Sequence, residues 1–166
     1  MLDALNDQIN AELYSAYLYL SIGAYFESRS LPGFANWMHV QVQEELAHVQ
    51  KFYGWINERG GRVVLGAIDA PPAEWESPLA AFKASYAHEC MISGRINDLV
   101  DIAIEEKDHA TNIFLQWFVT EQVEEEASTD AVVKKLDLMR DAPNALFMID
   151  RELAQRVFTP PADPQT

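Results

Sequence analysis

The sequence predicts an all-α protein: a four-helix bundle with one long crossover, followed by a short fifth helix at the C-terminal end. Four long segments have apolar side chains at three- and four-residue steps, the spacing of one helix face. The connections are short except in the middle of the chain, where residues 60–76 contain three glycines and two prolines and lack a helical pattern. These two observations together predict the bundle.

Breaking residues set the bounds of the first two helices. The first is predicted over residues 2–27, and SRSLPG, residues 28–33, ends it. The second runs from Phe34 to Arg59. Gly60-Gly61 ends it, because glycine readily adopts the left-handed conformation that is common after a helix.

Capping residues begin the remaining helices. Ser77-Pro78 is an N-cap and first-turn pair for a third helix that continues to about residue 106. Asp108 caps a fourth helix, and a shorter fifth helix begins near Pro143. We assign residues 1–159 to a single domain and residues 160–166 to a flexible tail. The apolar positions expected to face the core include Leu2, Leu5, Ile9, Leu13, Ala16, Leu20, Val42, Val49, Phe52, Leu79, Phe82, Tyr86, Ile96, Leu99, Ala103, Ile113, Phe114, Trp117, Phe118, Val132, Leu136, Leu146, Ile149 and Leu153.

The middle connection determines the topology. A helix of ~26 residues is ~39 Å long, and ~16 extended residues reach ~50 Å. This connection can therefore run the length of the bundle and join two parallel helices, whereas the short connections join antiparallel neighbours.

The composition limits the classes of function. A net charge of −14 argues against nucleic acid or an anionic membrane as a partner, and it suits cations. No apolar run approaches the ~18 residues of a membrane span. The N-terminus, MLDALNDQINAE, lacks the pattern of a signal peptide, so we expect a cytoplasmic protein. The single cysteine, Cys90, rules out an internal disulfide framework and a CxxC metal site.

Each long helix has acidic or amide residues on its apolar face, near the middle of the helix. On the second helix, Glu45 and His48 fall between Val42, Val49 and Phe52 on one stripe. The corresponding residues elsewhere are Glu12 and Tyr19 on the first helix, Glu89 on the third, and Gln122 and Glu125 on the fourth. In a bundle these side chains meet at about one level.

Such a set of residues needs a cation. Buried carboxylates without partners are costly or become protonated. The i, i+3 spacing of Glu45 and His48 lets both side chains reach one metal ion from adjacent turns. Oxygen-rich sites with one imidazole suit iron or manganese, whereas zinc more often recruits thiolates and calcium does not select histidine.

Each of these residues has a simpler interpretation when it is considered alone. His48 would more often be a hydrogen-bonded core residue, and EQVEEE, residues 121–126, a solvated acidic face. Tyr19 and Trp117 would more often be packing groups than redox groups. Because these interpretations would have to hold on four helices at one level, we favour a metal centre.

Five stretches of the chain are specific in combination: INAELYSAYLYL (9–20), QEELAH (43–48), HE (88–89), EKDHAT (106–111) and FLQWFVTEQVEEE (114–126). With these motifs the chain resembles the prokaryotic non-haem ferritins, above all the archaeal and thermophile members, over residues 2 to about 160. The resemblance implies the ferritin-like form of the four-helix bundle.

The resemblance also implies a di-iron ferroxidase centre. Its first iron would be held by Glu12, Glu45 and His48, and its second by Glu45 as a bridge, Glu89 and the nearby Gln122. Bacterial ferritins place a third iron site where this chain has Glu44, Glu121, Glu124 and Glu125. Aromatic residues that supply electrons in the family stand at the positions of Tyr19 and Trp117.

The chain also departs from related patterns. Bacterioferritins have a second Glu-x-x-His on the fourth helix, where this chain reads Gln122-x-x-Glu125. Leu46 stands where they have the haem-binding methionine, so we expect no haem. Asn112 and Leu115 replace the two acids that line the three-fold channel of animal ferritins, so the resemblance does not imply that route for iron.

The function implied is iron storage by a homo-oligomeric shell, a 24-mer, that oxidises Fe(II) with dioxygen or peroxide and stores ferric oxyhydroxide. The alternative is a di-iron carboxylate oxidase or peroxidase of the ferritin-like superfamily without bulk mineral storage. An oxygenase for organic substrates would usually need a longer chain, and a rubrerythrin-type peroxidase needs a CxxC site that one cysteine cannot provide. A passive storage subunit would lack the paired ligands. DNA-protecting mini-ferritins usually lack the fifth helix.

Overall fold

The computed structural model describes residues 1–139, 142 and 144–161, and it contains the five predicted helices close to their predicted bounds. They are α1 (Leu2–Ser28), α2 (Pro32–Glu58), α3 (Pro78–Glu105), α4 (His109–Leu138) and α5 (Ala145–Leu153). Pro143, where the fifth helix was expected to begin, and the tail beyond residue 161 lie outside the described residues. The all-α bundle with a short fifth helix is confirmed. None of the described helices is long and apolar enough to span a membrane.

Side-chain caps begin α3 and α4, as the sequence predicts. The Ser77 hydroxyl accepts a hydrogen bond from the backbone N–H of Ala80 at 3.1 Å. The Asp108 carboxylate accepts one from the backbone N–H of Thr111 at 3.1 Å. Each cap satisfies an N–H group that has no partner within its own helix.

The cap of α2 comes from α5. One carboxylate oxygen of Asp150 accepts hydrogen bonds from the backbone N–H groups of Gly33 at 2.7 Å and Phe34 at 3.1 Å. A Cβ at position 33 would lie 1.7 Å from the carbonyl oxygen of Asp150, so the contact requires glycine. The fifth helix is thereby attached to the start of the second.

The crossover between α2 and α3 runs along α1. Asn6 donates to the carbonyl of Arg62 and accepts from the N–H of Val64. One helical turn later, Asn10 makes the same kind of pair with residues 66 and 67. Near the other end of α1, Ser21 donates to the carbonyl of Pro72. The crossover therefore spans the bundle and joins two parallel helices, as predicted.

Two buried apolar clusters fill the bundle on either side of its middle. One contains Phe26, Phe34 and Phe82, and the other contains Ile9, Ile96 and Phe118. Four positions that the sequence placed inside are instead exposed: Leu2, Leu20, Ile113 and Leu146. Helical phase explains the error at Ile113, since the buried residues of α4 alternate steps of four and three (111, 115, 118, 122, 125) and exclude position 113.

Candidate metal centre

A layer of buried polar side chains separates the two apolar clusters. Its residues take positions in the apolar register of their helices, so the sequence pattern that builds the core also turns them inward. All are at most 8% exposed: Gln8, Glu12, Gln41, Glu45, His48, His88, Glu89, Gln122 and Glu125.

Glu12, Glu45 and His48 form the inner site. One ligand atom from each lies within 4.8 Å of the others. The Nδ1 atom of His48 is 3.7 Å from Oε2 of Glu12 and 3.5 Å from Oε2 of Glu45, which is too long for good hydrogen bonds. Both of these buried carboxylate oxygens lack a hydrogen-bond partner. Two hard oxygen atoms and one imidazole nitrogen therefore converge on a space that suits a cation.

The protonation of the inner site reflects this crowding. Burial raises the pKa of Glu45 well above its ordinary value, and the neighbouring carboxylates Glu12 and Glu89 reinforce the shift. Burial alone would raise the pKa of Glu12 and lower that of His48, but their mutual attraction outweighs it and shifts both pKa values the other way. A metal ion at the site would replace the protons on Glu45 and His48.

A chain of polar groups that the sequence analysis missed holds Glu12. Gln8 donates from Nε2 to Oε1 of Glu12 at 2.8 Å, and Arg95 donates from Nε to Oε1 of Gln8 at 3.0 Å. The spacing of Gln8 and Glu12, four residues apart on one face, was a signal in the sequence. Of the two carboxylate oxygens of Glu12, only Oε2, which lies nearer to His48, has no hydrogen-bond partner.

Glu89 lies beside the inner site and outside its compact group. It accepts hydrogen bonds from the Tyr19 hydroxyl and from Nε2 of Gln122, the latter at 3.2 Å. Burial, followed by the charge of Glu125, raises the pKa of Glu89 to about 8. Burial and the charge of Glu89 raise the pKa of Tyr19 well above 10. The structure thus brings together three predicted residues, Tyr19, Glu89 and Gln122, through direct hydrogen bonds.

His88, next to Glu89, is a packing residue. Its Nε2 atom pairs with the Ser15 hydroxyl at 2.8 Å, and its ring contacts those of Tyr14 and Tyr19. Burial lowers the pKa of His88 to about 4, so its ring is neutral at pH 7.

Glu44, Glu121 and Glu125 form the outer cluster, which adjoins His48. Ligand atoms of His48, Glu121 and Glu125 lie within 4.8 Å of one another. Burial, together with the charges of Glu125 and Glu121, raises the pKa of Glu44 to about 7, although Arg156 opposes the shift. Gln41, which the sequence analysis missed, donates to Glu125 at 2.9 Å. Glu124 is exposed and belongs to neither compact group among the described residues.

Trp117 connects the inner site with the surface. Its ring meets that of His48 edge to face, with centroids 5.5 Å apart. The ammonium group of Lys51 lies 4.2 Å from the Trp117 ring centroid. Leu46, at the position that would be a methionine in a haem protein, is 44% exposed.

Fold and site define a class of protein, the helical bundles that hold metal ions between four helices with carboxylates and histidine. Residues 2–139 match the family model of the ferritin-like domain, and the chain belongs to that family.

Curated relatives and solved structures agree with this assignment. The chain is 45% identical over 154 residues to a bacterial non-heme ferritin of Bacteroides fragilis, covering 93% of this chain and 96% of the relative. It is 41% identical to the bacterial non-heme ferritin of Staphylococcus aureus over 158 residues, 95% of each chain. An open pore ferritin from Archaeoglobus fulgidus superposes with a TM-score of 0.93 at 56% identity, covering 95% of this chain and 97% of the other. A closed form of that ferritin, engineered by mutagenesis, gives 0.94 at 57% identity, covering 96% and 97%.

Proposed function

We propose that this chain oxidises Fe(II) with dioxygen or peroxide at a two-iron centre and stores the ferric product as oxyhydroxide. Iron storage with ferroxidase activity is the function that the family and the non-haem ferritin relatives support. One observation supports the assignment of this activity to particular residues. Two buried carboxylate oxygens from different helices, both without partners, converge on Nδ1 of His48.

Each residue of the proposed centre has a defined role. Glu12, Glu45 and His48 bind the first Fe(II), and Glu45 bridges to a second Fe(II) held by Glu89 with Gln122 beside it. Each Fe(II) gives up one electron to the oxidant, dioxygen or peroxide, and becomes Fe(III). Carboxylates promote this step because they are hard ligands that stabilise Fe(III) more than Fe(II). The Tyr19 hydroxyl, hydrogen-bonded to Glu89, stands where it can supply a further electron.

The outer cluster is proposed as a third iron site next to the pair. Glu121 and Glu125 share His48 with the inner site, and Glu44 is added because the charges of Glu125 and Glu121 act on its carboxyl group. Glu124, which the resemblance also implies, is exposed. Iron leaving the pair, or waiting to enter it, would be held here.

Assembly into a closed shell of 24 copies is proposed for the storage step, in the cytoplasm. The relatives support a homo-oligomer. Large apolar side chains are exposed along α1 and the neighbouring crossover, as a subunit interface requires: Tyr17, Leu20, Val64, Leu65 and Ile68. We expect assembly to depend on the salt concentration, because each chain carries a charge of −14 and salt screens the repulsion between copies.

Sizing and kinetics test the proposal together. The purified chain should elute as a large assembly that retains oxidised iron in the same peak. The alternative, an oxidase or peroxidase without storage, predicts oxidation with little iron retained. In stopped-flow mixing with Fe(II), Glu45→Ala should lose the fast oxidation, whereas Glu105→Gln, at an exposed residue at the end of α3, should keep it. Oxidation by Glu45→Ala at the rate of the unsubstituted protein would overturn the assignment.

A further inference from the structure

Residues 154–161, the C-terminal segment, begin by folding back along α2. Nδ2 of Asn36 donates to the backbone carbonyls of Leu153 at 3.2 Å and Arg156 at 3.0 Å. Asp150 caps α2 just before this segment. The backbone at Arg156 is therefore held by groups other than its own side chain.

The Arg156 side chain reaches the outer cluster. Its Nη2 atom donates to Oε2 of Glu44 at 2.7 Å. Its guanidinium carbon lies 4.2 Å from the centroid of the Trp37 ring, and Nη1 donates to the Trp37 carbonyl at 3.5 Å. The paired side chains of Arg156 and Glu44 are 22% and 19% exposed. Stacking on Trp37 thus holds the guanidinium in place beside the carboxylate.

A buried amide lies beside the outer cluster. Gln41 holds Glu125 through Nε2, and its fully buried Oε1 atom has no hydrogen-bond partner. Within the described part of the chain, Arg156 is the one Lys or Arg side chain that pairs with a candidate ligand carboxylate. The carboxylates of the outer cluster therefore already have one positively charged partner that belongs to the protein, the guanidinium of Arg156.

We infer that Arg156 is a tethered counter-ion, which competes with metal ions for the carboxylate of Glu44 and limits metal occupancy of the outer cluster. The guanidinium stays charged at every physiological pH, so a metal ion that binds Glu44 has to compete with this fixed charge for the carboxylate. Arg156 acts through Glu44 and is a positioning residue. The inference rests on the proposed function, in which this cluster takes a third iron.

Zn(II) titration of the assembled full-length protein tests the inference, because zinc occupies such sites without redox chemistry. Calorimetry should resolve tight inner binding from weaker outer binding. Arg156→Gln should tighten the outer class about fivefold, the upper range for an ion pair that solvent still reaches. Arg156→Lys should restore most of the competition, because it keeps the charge. Arg151→Gln is the matched control, since Arg151 lies on α5 over the Phe147 ring and should change neither class.

The Glu44→Gln background separates competition from a structural effect. If Arg156 acts through Glu44, Arg156→Gln should change outer binding there by less than the error. Unchanged or weaker outer binding in Arg156→Gln would overturn the inference, and so would an equal change in both backgrounds. The proposed function has its own test in the same titration. It fails if the unsubstituted protein shows no tight class of zinc binding, or if Glu45→Ala leaves that class unchanged.

Discussion

The inner site and the outer cluster share His48, yet their carboxylates are compensated in different ways. At the inner site, Oε2 of Glu12 and Oε2 of Glu45 are buried without partners, and the neighbouring positive charge is the imidazole itself. At the outer cluster, Glu44 is only partly buried and pairs with Arg156. The two proposed roles require different arrangements. A site that oxidises iron leaves its ligand atoms free, whereas a site that holds iron on its way in or out can contain a protein cation with which the incoming metal ion competes.

The largest expected effect distinguishes the two regions directly. His48→Ala and Glu45→Ala should each slow fast Fe(II) oxidation by about 100-fold or more, because each removes a ligand rather than a supporting group. Stopped-flow absorbance measures the rate, and far-UV circular dichroism should show an unchanged helical content. Glu105→Gln, at an exposed acidic residue at the end of α3, serves as the control for a lost negative charge. A loss in the control as large as in the ligand variants would remove the distinction between a buried site and general negative charge.

The next effect concerns the outer cluster. Changing Glu44, Glu121 and Glu124 together to Gln should alter the oxygen consumed per iron and slow regeneration of the centre several-fold. The first burst should suffer far less, because the inner ligands remain. A second addition of Fe(II) after a timed delay measures regeneration. If burst, stoichiometry and second turnover all match the unsubstituted protein, the cluster is surface charge alone.

The pH dependence of the metal-free protein follows from the raised pKa values. Glu89, with a pKa of about 8, and Glu44, with a pKa of about 7, bind protons in the folded state that the unfolded chain has released above about 4.5. Stability therefore falls as the pH rises toward 8, by about 1.4 kcal/mol per pH unit for each such proton. His48, whose pKa is also raised, acts in the same direction above about 6.5.

His88 limits the useful window for this test. Its lowered pKa opposes the trend below about 6.5, so the decline should be clearest between about pH 6.5 and 8. Thermal unfolding in the presence of a chelator measures it, and Glu89→Gln should flatten the slope. A stability that rises across this window would contradict the raised pKa values described for Glu89 and Glu44.

The smallest effect tests the link between α5 and the outer cluster. Asp150→Ala removes the cap of α2 and should cost about 1 kcal/mol of stability. Because the C-terminal segment begins just beyond this contact, outer zinc binding should change more than inner binding. Equal changes at both would show that the cap supports the bundle as a whole.

The inner site could be predicted from the sequence because helical phase determines which residues face the core. Glu12, Glu45, His48 and Glu89 occupy apolar positions of long, regular helices, and a bundle brings such positions to one level. Ile113 shows the limit of that argument, since it lies about half a helical turn from the buried positions 111 and 115 and is exposed.

Contacts between distant segments could not be predicted in this way. Arg156 and Glu44 are 112 residues apart, and Arg95 and Gln8 are 87 apart. The first pair depends on where a non-helical segment runs, and the second depends on how α1 and α3 dock. Neither leaves a periodic signal in the sequence. The placement of Asp150 at the start of α2 is of the same kind.

Anomalous diffraction from Fe(II)-soaked crystals, recorded on both sides of the iron edge, tests the central claim most directly. Two iron peaks should lie between the helices, one bound by Glu12, Glu45 and His48 and the other between Glu45 and Glu89. A weaker third peak at the outer cluster should strengthen in Arg156→Gln. Iron found only at the outer cluster or on the protein surface, with the inner site empty, would contradict the account.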